Sequence, residues 1–207
     1  MARIDDYIAA GKMAITALSE EPLSTILDRS GFTLLEENRL EIPFLNRVYA
    51  VDFPQFTFVD KTDEEKEVPI QEQVLLLHYM QGGGNKLQPS PTRIAYREVK
   101  GASFYFSSFV KRAIDPLKKV FGQNAEGFKK IAHELKGTAI DAGDAGFRFQ
   151  LLPKISLELI LWEGDDEFPA EANILFEDNI ADYLSPEDVA WLSGMLVYRL
   201  ISLFYQK

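Results

Sequence analysis

The sequence predicts an α+β fold: a largely antiparallel sheet with helices packed on it, in a single domain over residues 1–207. Three observations carry this. Apolar residues alternate with period 2 in two blocks, one over 32–59 and one from Ala145 onward. Helical spacing appears in blocks of its own instead of between every pair of strands, which argues against a β-α-β alternation. A chain of 207 residues with 46% hydrophobic and 12% aromatic content can build an ordinary core without disulfide or metal staples.

Residues 4–30 read as two N-terminal helices divided at Glu21-Pro22, since Ile4, Ile8, Ile15 and Leu18 fall close to helical spacing and Pro22 suits a first turn. Gly31 closes the second helix. Short β-rich pieces at 32–34, 40–42, 48–51 and 56–59, separated by Glu37-Asn38, Pro43 and Pro54, predict an antiparallel meander. Residues 60–67 form a charged, solvated connector. Residues 69–81 read as a helix that opens on Pro69 and ends before Gly82, apolar on most sides through Ile70, Val74–Leu77 and Met80. The Gly- and Pro-rich stretch 82–91 is the best internal boundary candidate and does not require a second domain.

Residues 94–96 predict a short strand, and 104–120 and 126–135 predict helices interrupted near Asp115-Pro116 and Gly122. Phe147, Phe149 and Leu151 then alternate with Arg148 and Gln150, and after Pro153-Lys154 the residues Ile155, Leu157, Leu159 and Leu161 alternate with Ser156, Glu158, Ile160 and Trp162. A hairpin with one buried face follows. Residues 172–176 supply another strand. Ser185-Pro186-Glu187-Asp188 combines a hydroxyl cap, Pro at the first helical position and carboxylates in the first turn, so a helix runs from there to about Tyr205.

Charge and composition exclude several functions. A net charge of −10 repels phosphate backbones, so no nucleic-acid partner is expected. The absence of Cys removes disulfides, thiolate nucleophiles, zinc ribbons and iron–sulfur ligation by this chain. Asp5, Asp6 and Lys12 interrupt the N-terminal apolar residues, so a signal peptide is not expected. The longest apolar runs fall well short of the roughly 20 residues that cross a bilayer. The expectation is a cytoplasmic protein without a membrane partner.

Most motifs have a plain explanation. Gly82-Gly83-Gly84-Asn85-Lys86 follows a helix and precedes Pro89 and Pro91, the reverse of a phosphate-binding order, and reads as a helix terminus and loop. His133-Glu134 starts like a zinc-protease helix, but Gly137 stands where the second His is needed. His78, in an apolar helix, reads as a hydrogen-bonded structural residue. Asp141, Gly143, Asp144 and Gly146 read as turn residues without the ligand spacing of a calcium loop.

Two places carry chemistry. Glu163, Asp165, Asp166 and Glu167 put four carboxylates in five residues directly after a strand, and their repulsion is relieved by water, by backbone or arginine donors, or by a hard cation. Phe168-Pro169 predicts a loop anchored into the core. Arg97-Glu98 lies close to Phe104, Tyr105, Phe106 and Phe109, which reads either as an exposed ion pair beside core aromatics or as a pocket for an anionic ligand. The candidate ligand-binding residues are therefore Arg97, Asp165, Asp166 and Glu167. No metal and no cofactor is assigned.

The stretch WEGDDEFPAEANILFEDNIADYLSPEDVAWL, preceded in order by LLLHYMQ, IAYREVKG and GDAGFRFQLLP, resembles an uncharacterised family, domain of unknown function 3786. The resemblance implies no activity that transfers to these positions. It implies an association with anaerobic bacteria and archaea, and in some members an iron–sulfur domain at the N-terminal side. With no Cys here, any cluster belongs to a partner. The resulting expectation is a non-enzymatic binding or accessory module in anaerobic metabolism, partnering an iron–sulfur or corrinoid protein. The alternative is an enzyme or metal-binding protein using residues 163–167, with Arg97 for orientation; a structural oligomer is a third class, and the oligomeric state stays open.

Overall fold

The structure, a computed structural model, describes residues 4–83 and 90–206. Gly84, Asn85 and Lys86 of the glycine-rich stretch lie outside the described residues. The chain divides into two compact units: 1–88 with 152–154 and 182–184, and 89–151 with 155–181 and 185–207.

The first unit contains α1 (Ile4–Ser19), α2 (Leu23–Ser30), β1 (Thr33–Glu36), β2 (Arg39–Phe44), β3 (Arg47–Asp52), β4 (Thr57–Asp60) and α3 (Ile70–Gln81). Its strands pair in the order β1-β2-β3-β4, each antiparallel to the next, which is the expected meander. Alternation sets the faces: Leu40, Ile42 and Phe44 are buried while Glu41 and Pro43 are not. Gly31 ends α2 at φ 74, a left-handed backbone that favours glycine, and its N–H bonds back to the Leu27 carbonyl.

Helix α3 buries Val74, Leu75, Leu76, Leu77, Tyr79 and Met80, so it is apolar nearly all round. Buried polar groups on it are paired. The Tyr79 hydroxyl donates to the Ser30 carbonyl at 2.7 Å and accepts from the Lys154 N–H at 3.1 Å. The Tyr49 hydroxyl, on β3, donates to the Glu72 carboxylate. Burial raises the Tyr49 pKa, and the neighbouring Glu72 raises it further, so the phenol stays protonated and remains a donor.

The second unit runs through β5 (Arg93–Ala95), two 3₁₀ turns (Tyr96–Glu98 and Ala102–Tyr105), α4 (Phe106–Phe109), a π-helical segment (Val110–Ile114), α5 (Asp115–Phe121) and α6 (Ala125–Glu134). It continues with β6 (Thr138–Ile140), β7 (Ala145–Leu152), β8 (Ile155–Trp162), β9 (Glu171–Glu177), a single turn α7 (Ile180–Tyr183) and α8 (Pro186–Tyr205), with Leu152, Asp182 and Tyr183 of these elements falling in the first unit. The sheet order is β5-β9-β8-β7-β6. Leu157 stands opposite Phe176, Leu159 opposite Ile174 and Leu161 opposite Ala172, placing one apolar face on the core. The α+β class follows, with antiparallel pairing in both sheets.

Ser185 caps α8, its hydroxyl accepting from the Asp188 N–H at 3.2 Å. One local expectation changes, and one strand was not foreseen. No break occurs at Asp115-Pro116: the chain stays helical from Phe106 to Phe121 and widens into the π-helical segment instead. Pro116 has no N–H for the preceding turn, and a wide turn ahead of it accommodates that loss without ending the helix. Packing accommodates it too, because a Cβ on Gly194 of α8 would stand 3.2 Å from the Arg112 carbonyl oxygen. Strand β6 has only three residues and no readable period, so it is visible only through its pairing with β7. Among the described residues no helix is long and apolar enough to cross a membrane.

Tyr49→Phe removes the hydroxyl that donates to the buried Glu72 carboxylate. It should destabilise the protein by about 1–3 kcal/mol, the range for depriving a buried polar group of a partner. A lowered urea midpoint with an unchanged slope is the expected readout.

Candidate functional site

The second unit holds a small recess where β5 leaves the sheet. Ala95 is the last residue of the strand, and the Glu98 carboxylate accepts from its N–H at 2.8 Å, folding the chain into the 3₁₀ turn that presents Arg97. Tyr96 points inward: its ring lies parallel to Phe109 with centroids 4.2 Å apart, and both meet Phe176 edge-on at 6.0 Å. The Tyr96 hydroxyl donates to the Pro186 carbonyl at 2.7 Å, and burial pushes its pKa up to about 12, so it is a fixed neutral donor.

Arg97 stays at the mouth, with its guanidinium carbon 3.8 Å from the centre of the Phe106 ring. The recess has a volume of about 190 Å³ and is walled by Tyr96, Phe106, Phe109, Val110 and Ile114, with Ala95, Ala172, Arg97 and Asn173 completing it. Val110 and Ile114 are the two ends of the π-helical segment, so the widened turn faces this space. Wide turns of this kind are frequent at functional sites. The structure thus joins Arg97 to two of the four aromatics singled out in the sequence. The ring of Phe104 is instead 86% exposed.

The acidic loop is held by its backbone and not, as the sequence predicts, by burial of Phe168, whose ring is 67% exposed. The Gly164 N–H donates to the Gly122 carbonyl at 2.9 Å and the Glu163 N–H to the Asp144 carboxylate at 2.7 Å. Glu163 accepts from the Ala125 N–H at 3.4 Å, at the electropositive start of α6. A Cβ on Gly164 would lie 2.6 Å from the Ala170 nitrogen, so the tight approach needs glycine. Asp165 accepts from the N–H groups of Phe168 at 2.7 Å and Glu167 at 2.8 Å, and those bonds, Phe168 first, hold its carboxyl below the usual range.

Asp165, Asp166 and Glu167 are exposed, and none of them lines the recess that Arg97 guards. Repulsion in the loop is therefore relieved by backbone donors at Glu163 and Asp165, and by solvent at the other two. Among the described residues, no group of three His, Cys, Asp or Glu side chains is placed to hold a metal ion.

Sequence reasoning missed a buried polar network on the other face of this sheet. Glu158 accepts from Arg93 at 2.9 Å and from Arg148 at 2.8 and 2.6 Å. Arg93 also donates to the Ser156 hydroxyl at 3.2 Å and to the Ser90 carbonyl at 2.9 Å, and the Ser156 hydroxyl donates to Glu177 at 2.6 Å. The polar positions of the alternation, Ser156, Glu158 and Arg148, were the available signal. Burial would raise the Glu158 pKa, but the two arginines outweigh it and the carboxyl titrates below its ordinary value. These groups satisfy one another and fill their own site.

A second, larger recess of about 330 Å³ lies in the first unit between α1 and α3, lined by Ala10, Met13, Ala14, Ala17, His78 and Gln81. It carries neither a carboxylate nor a guanidinium. Arg97 therefore marks the better candidate for recognising a charged group.

Because the folded-state pKa of Glu158 is depressed, its contribution to stability is present above the unfolded value of about 4.3 and is lost as pH falls through the lower folded one. Urea midpoints followed from pH 7 to pH 3 should drop in that acid window for the wild type. Glu158→Gln should start lower at pH 7 and lack this component of the acid loss.

Comparison with curated proteins and with solved structures returns no match. The profile of one family, described as a domain of unknown function (DUF3786), matches residues 22–199, which takes in the recess, the acidic loop and the buried network. The chain belongs to that family.

Proposed function

We propose that this chain is a non-enzymatic binding module whose recess at Arg97 receives an anionic group carried on an apolar body. The single observation behind this reading is a guanidinium stacked on Phe106 at the mouth of an aromatic-walled space. Stacking occupies the flat face of the cation and leaves its in-plane N–H donors directed at an acceptor. The space of about 190 Å³ is below the roughly 300 Å³ at which small-molecule pockets begin, which favours one side chain or a compact carboxylate over a nucleotide or large cofactor.

The setting we propose is cytoplasmic and anaerobic, with an iron–sulfur or corrinoid protein as partner. Its support is the association of the family, together with a chain that has no Cys and leaves any cluster ligands to the partner. The net charge of −10 supports a protein partner over a nucleic acid. An enzyme or metal-binding protein working through Asp165, Asp166 and Glu167 has less support, because the Asp165 carboxylate already serves the N–H groups of its own loop.

Amide chemical-shift titration with benzoate, a compact aromatic carboxylate, tests the recess. Shifts should cluster at Ala95, Arg97, Val110, Ile114 and Asn173, and Arg97→Ala should weaken binding about tenfold or more, the value of a charge-assisted hydrogen bond. No localised shift would overturn the reading. Mg²⁺ or Ca²⁺ should leave Tm at the value set by ionic strength alone; a saturable rise that Asp165→Ala with Asp166→Ala abolishes would favour the metal alternative.

A further inference from the structure

We infer that the recess at Arg97 is filled by the acidic loop of a second copy of this chain, in a two-fold dimer in which each protomer inserts Phe168 beside the other's Phe106 and sets Glu167 against Arg97. This rests on the reading of the recess as a site for an anionic group on an apolar body. The loop has that chemistry: Asp166 and Glu167 are exposed, and the Phe168 ring that follows them is 67% exposed.

That ring is presented, not adrift. The Phe168 N–H donates to the Asp165 carboxylate at 2.7 Å and its carbonyl accepts from the Asp165 N–H at 2.9 Å, so the backbone beneath it is fixed before any association. Preorganisation of this kind lowers the ordering cost of binding.

Placement supports a reciprocal contact. Phe168 precedes Ala172, a lining residue, by four positions, at most about 14 Å of extended chain. Loop and recess therefore share one margin of the unit, the arrangement that an isologous interface needs, since the same patch must offer both halves. A side chain is a better occupant than an added strand: the Ala95 N–H at the sheet edge is already taken by Glu98, which blunts β5 against strand pairing.

Sedimentation equilibrium of the full chain from micromolar to millimolar concentration tests this. A monomer–dimer equilibrium is expected, weakened at least tenfold by Arg97→Ala and by Phe168→Ala, with circular dichroism unchanged because both side chains are exposed. A mixture of Arg97→Ala chains with Glu167→Ala chains should associate more tightly than either alone, since one Arg97 still meets one Glu167 across the two-fold. A wild type that stays monomeric, a dimer indifferent to both substitutions, or no gain on mixing would overturn the inference. Benzoate separates the two readings: recess shifts in a monomer would leave the binding site standing and remove only the second copy, whereas the absence of both shifts and dimer would remove both.

Discussion

A buried carboxylate organises the second unit. The alternation of β8 commits Leu157, Leu159 and Leu161 to the core, so Glu158 is turned to the other face, where it is only 6% exposed. A charge in that position is sustained only by paired cations. Arg148 comes from β7 beside it, and Arg93 crosses from β5. Strand β5 has three residues and would hold poorly by ladder bonds alone, so its place at the edge of the sheet owes much to this pairing. Tyr96 and Arg97 emerge immediately after it. The site of the recess is thus a consequence of where Glu158 had to find its partners.

Aromatic packing then shapes the recess. Tyr96 and Phe109 stack, Phe176 closes them from β9, and the π-helical turn before Pro116 sets Val110 and Ile114 at the wall. The same widened turn is accommodated by Gly194, which lets α8 approach the Arg112 carbonyl. Loop and recess differ in how charge is handled. In the loop, backbone N–H groups neutralise Asp165 and Glu163, whereas at the recess a lone guanidinium lies on a ring that cannot neutralise it. The first arrangement is locally complete; the second presents a charge outward.

Much of the fold was legible where side-chain period and punctuation agreed. The meander, the hairpin of β7 and β8, the glycine end of α2 and the Ser185 cap of α8 each rest on residues within a few positions of one another. The misses have physical causes. Strand β6 is too short to show a period, and β5 ends before Tyr96, which opens a 3₁₀ turn because Glu98 takes the Ala95 N–H. Pro116 signals a disturbance, but whether a helix breaks or widens depends on what packs against it.

Local chemistry determined, from the amino acids alone, the α+β class, the antiparallel pairing, the capped helices and the isolation of four carboxylates in one loop. Neighbours in the chain suffice for these, because hydrophobic period and turn residues act over short range. Tertiary structure decided which polar side chains meet: Glu158 with Arg93 sixty-five positions away, Tyr49 with Glu72, and Arg97 with a wall to which β9 contributes Ala172 and Asn173. It also left Asp165, Asp166 and Glu167, which the sequence had grouped with Arg97, off the lining of its recess. Such pairings depend on strand register and on the demand of buried charge for a partner, and neither is written in any local window.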